Sequence, residues 1–318
     1  MTYYNIAFEE KQYRSIANRA AKYYQESGKS GVLPLVTADV PDAYEYRYTS
    51  LSDPFASAAG SDWSAKARKG SAISNYADID LFTQQMNLFF DINEINKFGS
   101  SLIADKRGAI VDKWAVDVDN AAFHGPKNQN GIQLAEGLLG QLTCLVNQTS
   151  GTSFNVAAKG EIWLVLKKAI DDIPFAMREE GPDMILYINE RLYSDANSPN
   201  RIYQDRVEWD FIYEHFIGPK AVHGRKIGQV IITNKINAEA SDDTNGNNAD
   251  AVDVLATHGR FLLIVPDPRW VGRIVSRGFS LVGEEQGALG ISQIYGWKGR
   301  AYFFNGDCAN YTEGLTFA

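Results

Sequence analysis

Residues 91–142 read DINEINKFGSSLIADKRGAIVDKWAVDVDNAAFHGPKNQNGIQLAEGLLGQL, a long helical pattern that ends in a glycine-rich segment and carries no recognisable catalytic group. Asp91 stands at a candidate N-cap with Glu94 three residues on, the pattern of a capping box. Ile95, Phe98, Leu102, Ile103, Ile110, Val111, Trp114, Val118 and Ala121 then form an apolar stripe with a period near 3.6 and polar residues opposite. The spacing predicts one amphipathic helix of roughly thirty residues, about 45 Å long at 1.5 Å per residue. Gly125 and Pro126 end it, because glycine tolerates a left-handed cap and proline cannot extend the hydrogen-bond ladder. Such a helix is a spine packed along one side, with Ile95, Phe98, Leu102, Ile110 and Trp114 as its expected core.

On the N-terminal side, Ile16, Ala20, Tyr23 and Tyr24 recur at helical spacing before Gly28. From Gly31 to Phe90 the period changes. Tyr44, Tyr46 and Tyr48 alternate with polar residues, as do Ile79 and Leu81, which reads as strands flanking a small-residue, glycine-punctuated stretch from Ser52 to Asn75. Beyond the spine, Ile162, Leu166, Ala169, Ile170 and Ile173 share one face of a second helix, bounded by Ser153 or Asn155 before it and Pro174 after it. A short buried strand and a helical turn follow in DMILYINERLYSDAN, then strand-like runs in GQVIITNKI, GRFLLIVPD and KGRAYFFNG. Helices and strands are segregated, so the fold class is α+β without a repeating β-α unit or an internal repeat.

Composition narrows the function. The 318 residues are 45% apolar and 22% charged, proportions of an ordered globular chain. A net charge of −8 excludes a broad basic face for nucleic acid but permits a protein that merely encloses it. The longest apolar runs, IWLVL and FLLIV, are too short to cross a bilayer, so no membrane role is expected. Cys144 and Cys308, the only two cysteines, lie in different contexts and suggest neither a disulfide framework nor a thiolate metal site. Phosphate-binding, dinucleotide, nucleophile-elbow and zinc-helix motifs are absent, and His124, His215, His223 and His258 are scattered at helix ends and loops. The acidic stretch 239–253, with Glu239, Asp242, Asp243, Asp250 and Asp253, departs from the calcium-loop pattern and reads as a solvated loop; a metal-dependent enzyme built on it is the minor alternative. The neighbouring pairs Glu179–Glu180 and Glu284–Glu285 take no acid–base role, since sequence neighbours point apart.

The order of elements, with the spine ending in AAFHG and the GLLG that follows, resembles the major capsid proteins of tailed double-stranded DNA viruses, the Hong Kong 97-type fold shared with encapsulin shells. The resemblance covers nearly the whole chain. It implies an N-arm over residues 1–30, an E-loop with flanking strands over 31–90, a peripheral domain with the spine helix over 91–180, an axial domain over 181–263, and a return to the peripheral domain over 264–318. The implied function is a structural subunit that assembles with itself into pentamers and hexamers of an icosahedral virion shell, put together in the host cytoplasm around weakly held double-stranded DNA. Scaffolding, portal and decoration proteins are further candidate partners, and no cofactor, metal or catalytic residue is called for. An encapsulin-like compartment around cargo enzyme is the alternative. Phe55, Trp63, Lys66, Arg68 and Lys69 of the E-loop are the expected subunit-interface residues. Some relatives crosslink lysine to asparagine; Lys66 and Lys69 lie in the corresponding arm, with no matching asparagine and glutamate identified.

Overall fold

The computed structural model describes residues 29–38, 42–52, 73–98, 100–128, 131–143, 154–155, 159–237, 259–287 and 289–316. In chain order its strands are β1 Leu35–Thr37, β2 Glu45–Ser52, β3 Ile73–Asp80, β4 Phe82–Asp91, β5 Phe154–Asn155, β6 Met184–Ile188, β7 Ile202–Tyr203, β8 Arg206–Val207, β9 Ile227–Ile232, β10 Gly259–Ile264, β11 Val271–Gly287, β12 Gly290–Phe303 and β13 Ala309–Thr316. Two larger sheets form, ordered β1-β11-β12-β4 and β5-β13-β10-β6-β9, beside a two-stranded β2–β3 ribbon and a small β7–β8 hairpin.

The long helix crosses the four-stranded sheet. It is assigned as Ile92–Phe98 and Ser100–His124, with residue 99 outside the described residues, so the single expected helix is recorded as two segments. It emerges directly from β4: Asp91 is the last residue of that strand, and its carboxylate accepts the Asn93 N–H at 2.7 Å. Only half of the expected capping box is made, because the Glu94 carboxylate pairs with Lys106 one helical segment away. Of the expected stripe, Ile110, Val111, Trp114 and Val118 are buried together with Ala115 against Phe279, Tyr295 and Trp297 of the sheet. Trp114 meets Phe279 at 4.9 Å between ring centroids, and Phe279 stacks on Tyr295 at 5.4 Å. For Ile95, Phe98 and Leu102 the backbone is helical and the side chains lie outside the described residues.

The last turn of the spine enters a different core. Ala122 and Phe123 join the cluster built on the five-stranded sheet, where the Phe123 ring meets Tyr187 edge-on at 5.3 Å. Between the two cores sits Asp119, a buried carboxylate that accepts the N–H groups of Lys29 and Ser30 at 2.7 and 2.9 Å and the Ser30 hydroxyl at 2.7 Å. Here the helix holds the start of the described chain as well as both sheets.

The second helix, Glu161–Asp172, buries Ile162, Leu166, Ala169 and Ile170 as its periodicity requires. It starts later than the sequence suggests. Residues 154–155 pair with β13 instead, and Gly160 in a left-handed conformation (φ 86°) turns the chain into the helix. Glycine is required there, since a Cβ would lie 2.5 Å from the Tyr203 ring. With no side-chain cap of its own, the helix takes one from Glu208, whose wholly buried carboxylate accepts the Trp163 N–H at 3.0 Å and pairs with Arg201 at 2.8 Å. This helix packs into the core of the five-stranded sheet, not into that of the spine. The segment 264–318 is likewise shared: β11 and β12 lie under the spine, while β13 returns to pair with β10.

Trp114 is 4% exposed. Replacing it with alanine is expected to cost about 3–5 kcal/mol, read as a lower midpoint in denaturant unfolding. Near-wild-type stability would show that its packing carries little of the fold.

Candidate functional site

Among the described residues no three His, Cys, Asp or Glu side chains gather as metal ligands, and no helix is long and apolar enough to cross a membrane. His215 and His223 engage backbone carbonyls, of Phe211 at 2.8 Å and Glu179 at 3.1 Å. Burial pushes the Cys308 thiol up, away from the reactive thiolate. Asn310 and Thr312, a glycosylation triplet by sequence, are buried in β13 and bonded to each other. The acidic stretch 239–253 and the interface candidates Phe55, Trp63, Lys66, Arg68 and Lys69 all lie outside the described residues.

Three groups of exposed apolar side chains stand at the margins of the fold. At the far end of the four-stranded sheet, Phe89, Ile92 and Leu289 lie together, with the Ile92 N–H donating to the Leu289 carbonyl and Leu289 75% exposed. At the end of the spine, residues 126–128 and 131–134 pair as a short hairpin carrying exposed Ile132 and Leu134. Beside the five-stranded sheet, Phe175 and Val222 flank Gly224, whose carbonyl accepts from the buried Arg178 at 3.1 Å. Arg178 also donates to the Ile173 carbonyl, and burial lowers its pKa against the opposing pull of Asp171. The guanidinium thus ties residues 173–180 to the 222–225 turn, with the exposed Phe175 ring beside Gly224.

The hairpin at the spine's end depends on two glycines. Gly125 is left-handed (φ 98°), and a Cβ on Gly137 would fall 2.3 Å from the Gly125 nitrogen and 2.5 Å from the Phe123 carbonyl carbon. The chain therefore leaves the helix, loops out and closes on its own backbone, with Gln133 donating to the carbonyls of His124 and Ala135. The following helix, Leu138–Thr143, then buries Leu138, Leu139 and Leu142. These are the AAFHG and GLLG pieces singled out in the sequence.

The ribbon pairs only with itself, its register running from Glu45↔Asp80 to Ser52↔Ile73, and Ile79 at its base is buried with Ile274 of the four-stranded sheet. Its base is fastened where the sheets meet. Tyr48 stacks on Phe304 at 4.5 Å, and its hydroxyl donates to the Arg269 carbonyl at 3.4 Å. Arg269 belongs to the turn that carries the chain from β10 into β11, and its guanidinium forks onto Asp267 at 2.9 and 2.8 Å while lying over Trp270. The Arg269 hydrogen bond holds the Asp267 carboxyl below the usual carboxylate range.

No protein-family model and no curated protein matches the chain in sequence. In structure it is similar to the capsid of Myoviridae Phage XM1, at 13% identity and a TM-score of 0.59 over 89% of this chain and 90% of that one. The procapsid of satellite phage P4 gives 11% identity and 0.55 over 94% and 99%, and a virus-like particle from Pyrococcus furiosus 12% and 0.51 over 95% and 98%. The chain has the Hong Kong 97-type fold. At these identities the likeness is one of fold, spread over the length of both chains.

Within that fold two residues make sharp tests. Gly137→Ala has no space for its Cβ among backbone atoms, so the hairpin must shift, and a lower melting temperature with altered proteolysis at residues 126–136 is expected. Asp267 has a depressed folded-state pKa. Its stabilisation is therefore present above the unfolded value of about 3.9 and lost as pH falls through the folded value. Asp267→Asn should melt earlier at pH 7 and show a shallower loss of stability than wild type between neutral and strongly acidic pH, as thermal melts across that range would show.

Proposed function

We propose that the protein is the shell-forming subunit of a virus-type capsid, assembling with copies of itself into pentamers and hexamers of a closed icosahedral particle around double-stranded DNA. The observation that carries this reading is the likeness to capsid chains over about nine-tenths of both lengths, joined to a body that carries a separate two-stranded ribbon. A two-stranded ribbon is marginal alone and gains stability against a partner surface. Displayed groups such as Phe89, Ile92 and Leu289, or Phe175 and Val222, suit contact between subunits better than catalysis. The role is structural. A net charge of −8 fits a container that must hold DNA without gripping it.

In this reading residues 1–30 are the N-arm and 31–90 the E-loop with its strands. The spine helix, with β11 and β12 beneath it, belongs to the peripheral domain. The five-stranded sheet is the axial domain, which β13 re-enters, so the chain passes between the two domains at 265–271 and again at 304–308. Phe55, Trp63, Lys66, Arg68 and Lys69 are assigned to contacts with a neighbouring subunit. Further partners in this reading are scaffolding, portal and decoration proteins, with assembly in the host cytoplasm. The likeness to the Pyrococcus furiosus particle keeps a cargo compartment as the second reading, since fold does not settle what a shell contains.

Expression followed by size-exclusion chromatography and electron microscopy should give closed particles or capsomers. Nuclease-protected DNA in particles from the native source supports the virion, and protected cargo protein the compartment. A chain that stays monomeric with its genomic neighbours co-expressed would overturn both. Replacing Phe55 and Trp63 together by serine should weaken or block assembly while circular dichroism and cooperative melting remain those of the folded subunit; loss of the fold would place both residues in the subunit's own core.

A further inference from the structure

The turn at residues 42–44, where the chain enters the ribbon, is gripped from the four-stranded sheet by two cations. Asp42 adopts a left-handed conformation (φ 58°), which aspartate tolerates better than most residues with a side chain. Its carbonyl accepts from the Lys298 ammonium at 2.9 Å, and its carboxylate accepts twice from the Arg277 guanidinium, at 3.2 and 3.3 Å. Ser276 donates to the Ala43 carbonyl at 3.3 Å, and the Leu81 N–H, where the chain leaves the ribbon, donates to the Tyr44 carbonyl at 2.7 Å.

Lys298 is the unusual member. It is 4% exposed, yet among the described residues no carboxylate pairs with it; its ammonium sits between the Asp42 carbonyl and the face of the Tyr44 ring, 3.5 Å from the centroid. Lysine is rarely this buried without an anionic partner, so the desolvated charge is spent on holding one backbone carbonyl and one ring in place. Arg277 sits between two register shifts in β11, which turn its side chain towards the turn, and Ser280 bonds its Nε.

We infer that Lys298 and Arg277 are the positioning residues of the β2–β3 ribbon, fixing its direction relative to the four-stranded sheet through Asp42. This rests on the reading of the protein as a shell subunit, in which the ribbon's direction sets where it meets a neighbour. Further out, Tyr48 stacks on Phe304 just past β12, Tyr46 lies 6.2 Å from the same ring, and Ile79 of β3 is buried with Ile274 of β11. The cations act at the root of the ribbon, on the one turn that these apolar contacts do not hold.

The test uses the full-length chain on a Cys144→Ser background, with spin labels at Ser50→Cys in β2 and Gln85→Cys in β4, and the distance between them measured by pulsed electron paramagnetic resonance in unassembled subunit. Three variants are compared with the parent: Lys298→Met, which keeps the buried volume; Arg277→Gln; and Asp42→Asn, which keeps a residue tolerant of the left-handed turn and removes the charge. The expected result is one narrow distance in the parent and a broadened or displaced distribution in each variant, with far-ultraviolet circular dichroism unchanged. Arg277→Gln and Asp42→Asn alter partly exposed side chains, so they decide the matter even where Lys298→Met folds poorly. A parental distribution in those two variants would overturn the inference whatever the particles look like. Broadened distances in a chain that never forms particles would leave the positioning role standing and overturn the shell reading instead.

Discussion

One helix has to satisfy two cores at once, and most of the architecture follows from that demand. Its middle turns need the aromatic face of the four-stranded sheet, where Trp114 lies on Phe279. Its last turn must deliver Phe123 to Tyr187 in the other core. A helix is stiff over this length, so the two sheets are held at a set separation by the rise per residue between Trp114 and Phe123. Asp119, in between, adds a third demand by capping the chain at Lys29 and Ser30. Tyr187 donates to the Lys29 carbonyl at 3.0 Å, which closes the same junction from the side of the five-stranded sheet.

The junction is then braced by the chain's own crossings. After β10 the chain turns through Asp267–Trp270 into β11, and after β12 the N–H groups of Phe304 and Asn305 donate back to the Trp270 carbonyl before β13 rejoins β10. Two antiparallel passages thus share one turn, and the ribbon leans on that turn through Tyr48. The ribbon's base is thus fastened to the same turn that joins the two sheets.

Much of this was legible from residue patterns. The apolar stripe from Ile110 to Val118, the cap at Gly125 and the buried face of helix 161–172 are local consequences of period and of backbone chemistry, and all three are present. The resemblance drawn from AAFHG and GLLG pointed to the right fold because those glycines answer a steric need, two backbones in contact at Gly125 and Gly137. Strand β11 was far less legible. Its register shifts at 275–277, 277–280 and 281–283 break the two-residue alternation by which a half-buried strand is recognised.

By itself the sequence determined the elements and their apolar faces, because helical period, capping and glycine tolerance act between residues close along the chain. Only the tertiary structure decided which face meets which. Ala115 and Phe123 are buried because of what lies opposite them, and Glu208 caps a helix that begins far before it in the chain. The grip of Lys298 and Arg277 on Asp42 joins residues more than 230 positions apart. Burial and charge pairing at such separations depend on geometry in space, and no spacing along a single chain encodes that directly.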